Sequence, residues 1–117
     1  MDDRDPDCLF CRIVADEIPA DRVYEDGEVV AFRDISPQAP THVLVIPRRH
    51  IADVQALGEA DGPILGALFA AVRRIADAEG LDRGYRVVSN VGTESGQSVF
   101  HLHLHLLGGR PMAWPPG

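Results

Sequence analysis

The sequence predicts an α+β domain: an antiparallel sheet of about five strands, one long helix and one short one. Short β-branched runs recur between turn residues, only one long amphipathic segment is present, and strands and helices do not alternate regularly. A chain of 117 residues suits one domain, and its 45% hydrophobic content is enough for a real core. The expected division is a flexible acidic tail over residues 1–7 and a single domain over residues 8–117.

The elements follow in order. From Cys8 to Asp16, apolar Phe10, Ile13 and Val14 fall at helical spacing, and Pro19 stops the pattern. Segments 21–25 and 29–34 flank Asp26-Gly27, a strong signal for a tight hairpin. The β-branched run Thr41–Pro47 reads as a buried strand. Gly62-Pro63 opens a helix reaching Glu79, with Gly80 supplying a C-cap. Leu65, Leu68, Val72, Ile75 and Ala76 form its apolar face. Tyr85–Ser89 is a further strand, residues 92–98 a Gly/Ser/Thr loop, and Phe100–Leu107 a strictly alternating last strand. The tail from Gly108 holds three prolines and the only Trp, Trp114.

The formal net charge of -7 disfavours nucleic acid and anionic membranes as partners, because both reward cations. All 11 basic residues are Arg, which excludes a lysine nucleophile and a P-loop lysine. No apolar run approaches the roughly 18–20 residues of a membrane span, and the acidic start does not resemble a signal peptide. A cytoplasmic location is the expectation. In that setting Cys8-x-x-Cys11 points to metal or redox chemistry rather than to a structural disulfide.

The most informative segment is His101-Leu-His103-Leu-His105-Leu-Leu107. In a strand, Leu102, Leu104 and Leu106 turn to the core, while the three histidines line the other face about 7 Å apart. Surface strands rarely use His as filler, so the pattern points to a metal site or to nucleophilic and acid–base chemistry. His42 opens the Thr41–Pro47 run and can join this face; His50 lies beyond Pro47. Cys8 and Cys11 with two histidines would make a tetrahedral zinc site, and His50 and His101 are the best candidates. His103 and His105 are then free for catalysis. The preceding loop, with Gly96, Gln97 and Ser98, can turn N–H groups and side-chain donors toward an anion.

On these residues the chain resembles the histidine triad (HIT) family, and within it the Hint branch. The likeness runs from Cys8 to Gly117 and is carried by FCRIVADEIPA, YEDGEVVAFRDISPQAPTHVLVIPRRHI, GYRVVSNVG, GQSVFHLHLHLLGGR and WPPG. It implies a homodimer whose sheets join across a two-fold axis, acting on purine nucleoside phosphoramidates of the AMP or GMP type. By the same resemblance His103 is the nucleophile and forms a nucleotidyl-histidine. His105 and Ser98 contact the phosphate and leaving group, and His42 and His101 complete the histidine cluster. Asp34 binds the ribose hydroxyls. Phe10, Ile13, Phe32 and Ile35 wall the base, and Asn90, Gly96, Gln97 and Val99 complete the nucleotide site. Structural zinc takes Cys8, Cys11, His50 and His101.

Two features depart from many Hint proteins. The C-x-x-C is retained here, whereas animal members commonly lack it. Arg33 stands beside Asp34 where His is frequent, which would place a cation near the ribose. Two alternative functions are a dinucleoside polyphosphate hydrolase and a nucleotide-binding adaptor or sensor with weak hydrolysis.

Overall fold

The structure, a computed structural model, describes residues 4–117. A five-stranded antiparallel sheet carries one helix on each face. The strands are β1 (Arg22–Glu25), β2 (Val29–Arg33), β3 (Thr41–Pro47), β4 (Tyr85–Val88) and β5 (Leu104–Gly108). Their order across the sheet is β1-β2-β3-β5-β4, so the β-branched run is the central strand and the strand that ends the histidine segment lies beside it. The helices are α1 (Leu9–Val14) and α2 (Gly62–Ala78).

Alternation along the strands builds two separate apolar layers. Val29, Ala31, Val43, Val45, Leu104 and Leu106 face α2, meeting Leu68, Val72 and Ile75. Val30, Phe32, Leu44 and Ile46 face the other way, against Phe10 and Ile13 of α1. Because a strand exposes successive residues to opposite faces, the leucines of the triad segment and its histidines divide between these two sides. Of the predicted stripe on α2, Leu68, Val72, Ile75 and Ala76 are buried and Leu65 is half-buried, with buried Ile64 and Ala71 added to it.

Three boundaries differ from expectation. The β1–β2 connection is an Asp26-Gly27-Glu28 loop in which Asp26 Oδ1 accepts the N–H groups of Glu28 and Val29. Gly27 is not among the glycines with positive φ, so this is an Asx-type turn, not a two-residue hairpin turn requiring left-handed backbone. Helix α1 stops at Val14, where Asp16 takes φ 62°, well before Pro19. The last strand begins at Leu104, not Phe100, because the backbone of 101–103 bonds elsewhere: Leu102 N–H donates to Ile51 O outside the ladder.

Of the expected N-terminal tail, residues 1–3 lie outside the described residues. Further on, Asp5 O accepts the Cys8 N–H at 3.0 Å, and Asp5 N–H lies 3.4 Å from Cys11 Sγ. Among the described residues no helix is long and apolar enough to cross a membrane.

Leu68 is fully buried between α2 and the sheet. Leu68→Ala removes that packing and leaves a cavity, and is expected to cost about 2–5 kcal/mol. Urea denaturation of the two proteins measures it.

Candidate active site and metal cluster

The histidines assemble on the α1 side of the sheet. His101 and His103 sit in the irregular lead-in to β5, His105 is in β5, and His42 is in β3 beside it. The rings of His103 and His105 are 4.9 Å apart, those of His42 and His105 are 5.2 Å apart, and Phe10 packs edge-on to His103 at 5.1 Å. His101 and His103 are buried, so this is not a solvated strand face.

Backbone partners settle which nitrogen of each ring carries the proton, since a carbonyl can only accept and a main-chain N–H can only donate. His103 Nδ1–H donates to the His101 carbonyl at 2.7 Å, so the neutral ring keeps its lone pair on Nε2. His42 Nδ1 accepts the Gln38 N–H at 3.0 Å, which puts the His42 proton on Nε2. That Nε2–H donates to His105 Nδ1 at 2.9 Å, so His105 in turn carries its proton on Nε2. Two neighbouring imidazoles are thereby given opposite roles: His103 offers a lone pair, His105 a donor.

Burial lowers the pKa of all three. For His42 and His103 burial is the larger effect, opposed by nearby Asp34 and, for His103, by its bond to the His101 carbonyl. For His105 burial, then His103 and His42, bring it down to about 4. The cluster is therefore neutral near pH 7, as a nucleophilic imidazole requires.

Asp34 follows β2 and does two things. Oδ1 accepts the Ser36 N–H at 2.8 Å and caps the turn, while Oδ2 lies 3.5 Å from His42 Nε2. Asp34, His42 and His105 are close enough together to suggest a metal site. The tautomer argues otherwise: the Gln38 N–H occupies His42 Nδ1, so Nε2 bears hydrogen and has no lone pair for a cation.

The second cluster is Cys8, Cys11, His50 and His101, whose ligand atoms all lie within 4.8 Å of one another. His101 Nδ1 is 3.4 Å from Cys8 Sγ and 3.5 Å from Cys11 Sγ, and His50 Nδ1 is 3.3 Å from Cys11 Sγ. Sulfur and nitrogen ligands at tetrahedral angles on zinc lie roughly 3.5 Å apart, given bonds of about 2.3 and 2.0 Å. The donor set fits zinc in type and in spacing. His101 Nε2–H donates to Pro47 O at 2.8 Å, which leaves Nδ1 unprotonated and aimed at the thiols. Burial pushes His101 down to about 4 and the Cys11 thiol up to about 11, and a cation would stabilise the thiolate form.

The remaining predicted site residues divide. Phe10, Ile13 and Phe32 form one apolar surface beside the histidines, with half-buried Val99 against it; Ile35 stands apart, 99% exposed on the turn after Asp34. Gln97 is buried and spends its amide on the protein: Oε1 accepts the Gly92 N–H, and Nε2 donates to Ala52 O and Val99 O. It pins the loop in which Gly96, at φ 99°, and exposed Ser98 precede the triad. Asn90 is half-buried just beyond β4. Arg33 corrects the expectation of a cation at the ribose. Its guanidinium is held by Glu79, at 2.7 and 3.2 Å, at the end of α2. As the neighbour of Phe32 in a strand it faces the opposite side of the sheet. Sequence reasoning missed the main-chain groups of Gln38 and Pro47, which no side-chain motif could have signalled.

A small antiparallel α+β domain with a neutral histidine cluster beside a Cys2His2 cluster defines a narrow class. The sequence profile of the HIT domain matches residues 15–112. An uncharacterized HIT-like protein of Synechococcus elongatus is 53% identical over 111 residues, covering 95% of this chain and 97% of that one. A HIT family hydrolase from Legionella pneumophila superposes with a TM-score of 0.93 at 53% identity, covering 95% of this chain and all of the other. A histidine triad nucleotide-binding protein from Candida albicans gives 0.79 at 31% identity, covering 92% of this chain and 82% of the other. The chain belongs to the HIT family.

Acid stability follows from His105. Its ordinary pKa of 6.5 is held near 4 by the fold, so as pH falls the unfolded chain takes the proton first. The neutral ring's contribution is complete above 6.5 and is lost as pH drops from 6.5 toward 4. The urea midpoint should fall between about pH 7 and about pH 4.5, and more shallowly in His105→Gln.

Proposed function

We propose that this HIT protein is a nucleotide hydrolase that cleaves the bond between a purine nucleotide's α-phosphate and an amine, through a nucleotidyl intermediate on His103. The observation that carries this is the opposed tautomers of His103 and His105. The Legionella relative is named a hydrolase and the Candida relative a nucleotide-binding protein, and both names agree with this reading.

In the first step the His103 Nε2 lone pair attacks phosphorus as the P–N bond breaks. The bonding pair leaves with nitrogen, which takes a proton from water by way of the Ser98 hydroxyl. Water then attacks the nucleotidyl-histidine and frees the ring. Over both steps one water is consumed, its proton going to the amine and its hydroxyl to phosphorus. Splitting the displacement in two lowers each barrier. His105 Nε2–H donates to the phosphoryl oxygens, where negative charge grows in the transition state. His42 holds His105 in that role. With no lysine in the chain, the main-chain N–H groups of Ser98 and Val99 add the remaining donors, those of Gly96 and Gln97 being given to Thr93 O and Gly92 O.

Phe10, Ile13 and Phe32 wall the purine from one side, and exposed Ile35 closes on it from the turn after Asp34. Asp34 Oδ2 accepts from the ribose hydroxyls. Asn90 adds a polar contact, and Gln97 keeps the loop in shape. Zinc is held by Cys8, Cys11, His50 and His101; when bound it supplies a structural crosslink between the N-terminal segment and the lead-in to β5. The protein is proposed to act as a cytoplasmic homodimer. Among the described residues the β4 edge is unpaired within one chain, and Phe69 of α2 and Tyr85 of β4 are exposed large apolar side chains.

His103→Ala should lower turnover of an adenosine phosphoramidate at least about a thousandfold with the fold intact. Intact-mass and peptide mass spectrometry of quenched enzyme should find the nucleotidyl group on His103; an adduct on any other residue overturns the mechanism. A faster rate on a diadenosine polyphosphate would favour the polyphosphate reading instead. Protein purified without added metal should contain about one zinc per chain, and chelation should lower its melting temperature. No zinc by elemental analysis would remove the ion from this account.

A further inference from the structure

The tautomer of His42 depends on one main-chain N–H, that of Gln38, in a turn that is itself exposed. Something must hold that turn in place. Asp34 Oδ1 takes the Ser36 N–H at its start, and the Gln38 side-chain amide returns to Ser36 O at 2.9 Å. These contacts are local to the turn, which is also tied at its base by the Asp34 N–H to His42 O and by buried Ala39. The outside contact comes from the residues that follow β5. Arg110 Nε–H donates to Gln38 O at 3.0 Å, and Nη1 is steadied by Pro111 O at 3.0 Å. Next to it Gly109, at φ 90°, lies so close to Pro40 that an added Cβ would fall 2.9 Å from the Pro40 ring. The chain after the triad strand thus clasps the turn from Gln38 to Pro40 by a charge-assisted hydrogen bond and by direct packing.

We propose that Arg110 is a positioning residue for the catalytic histidines: it clamps the Gln38 turn so that the Gln38 N–H stays on His42 Nδ1 and His105 stays an Nε2–H donor. The hydrogen bonds of the guanidinium go to main-chain carbonyls, those of Gln38 and Pro111, and not to a histidine ring. Its effect is relayed through Gln38, His42 and His105, each step a hydrogen bond of 2.9–3.0 Å. When the turn moves away, His42 Nδ1 loses its donor and the ring is free to carry its proton there. The hydrogen bond to His105 then reverses, His105 keeps its proton on Nδ1, and its Nε2 turns a lone pair toward the phosphoryl oxygens. Donation to developing charge is replaced by repulsion. The proposal rests on the phosphoryl-transfer reading for its catalytic consequence, but not for the tautomers.

The test is Arg110→Ala, with Arg110→Lys to restore a charged donor. Long-range proton–nitrogen NMR of the histidine rings reads the tautomers directly and needs no substrate. Wild type should show His42 and His105 as Nε2–H forms, and Arg110→Ala a substantial Nδ1–H fraction in both. With an adenosine phosphoramidate, Arg110→Ala should lose roughly tenfold in kcat with KM little changed, part of what removing a whole transition-state donor costs. Arg110→Lys should recover most of the rate and the tautomers. Unchanged tautomers in Arg110→Ala overturn the proposal, whatever happens to the rate. So does a loss of kcat that tracks lowered thermal stability with the tautomers intact. A wild-type protein that fails to turn over the phosphoramidate overturns the functional reading alone, and the NMR result still decides the role of Arg110.

Discussion

One fully buried imidazole, that of His101, is where the two halves of this site meet. Its Nε2–H is tied to the carbonyl of Pro47 at the end of a central strand. Its Nδ1 faces two thiols, and its own carbonyl accepts the Nδ1–H of His103. The first of these contacts fixes the tautomer of His101 itself, and the others bear on its neighbours. Shifting it would release the proton position on His103 and open the Cys2His2 cluster at once, so this residue must be rigidly placed.

Around that point the protein uses main-chain groups to assign chemistry to side chains. A histidine is ambivalent by nature, with two nitrogens of nearly equal basicity and a pKa close to neutrality. Burial removes one ambiguity by favouring the neutral ring. The Pro47 and His101 carbonyls and the Gln38 N–H remove the other by choosing the tautomer. The result distinguishes two clusters that look alike on composition. Around His101 the free nitrogens converge with thiols and form a set of ligands. Around His42 the nitrogens are already matched donor to acceptor, leaving nothing for a cation.

Much of the fold was readable along the chain because it depends on local periodicity. The apolar stripe of α2, the buried Thr41–Pro47 strand and the leucine–histidine alternation are repeats of 3.6 or 2 residues, which burial on one face enforces directly. The misjudged boundaries depend on longer-range choices. Alternation alone carries the last strand back to Phe100. The chain leaves the ladder there because Leu102 bonds to Ile51, half the chain away. Arg33 looked like a ribose contact because Asp34 is next in sequence, yet strand geometry turns its guanidinium through to Glu79 on the other face.

By itself the sequence determined the class of fold, the HIT family pattern and the set of residues able to do chemistry, because residue type and short-range spacing are written into the chain. Only the tertiary structure decided what each histidine can do. Proton positions on His42, His101, His103 and His105 are set by Gln38 N–H and by the carbonyls of Pro47 and His101. Every residue except proline carries an identical N–H, and every residue an identical carbonyl, so only folding shows which of them meets an imidazole.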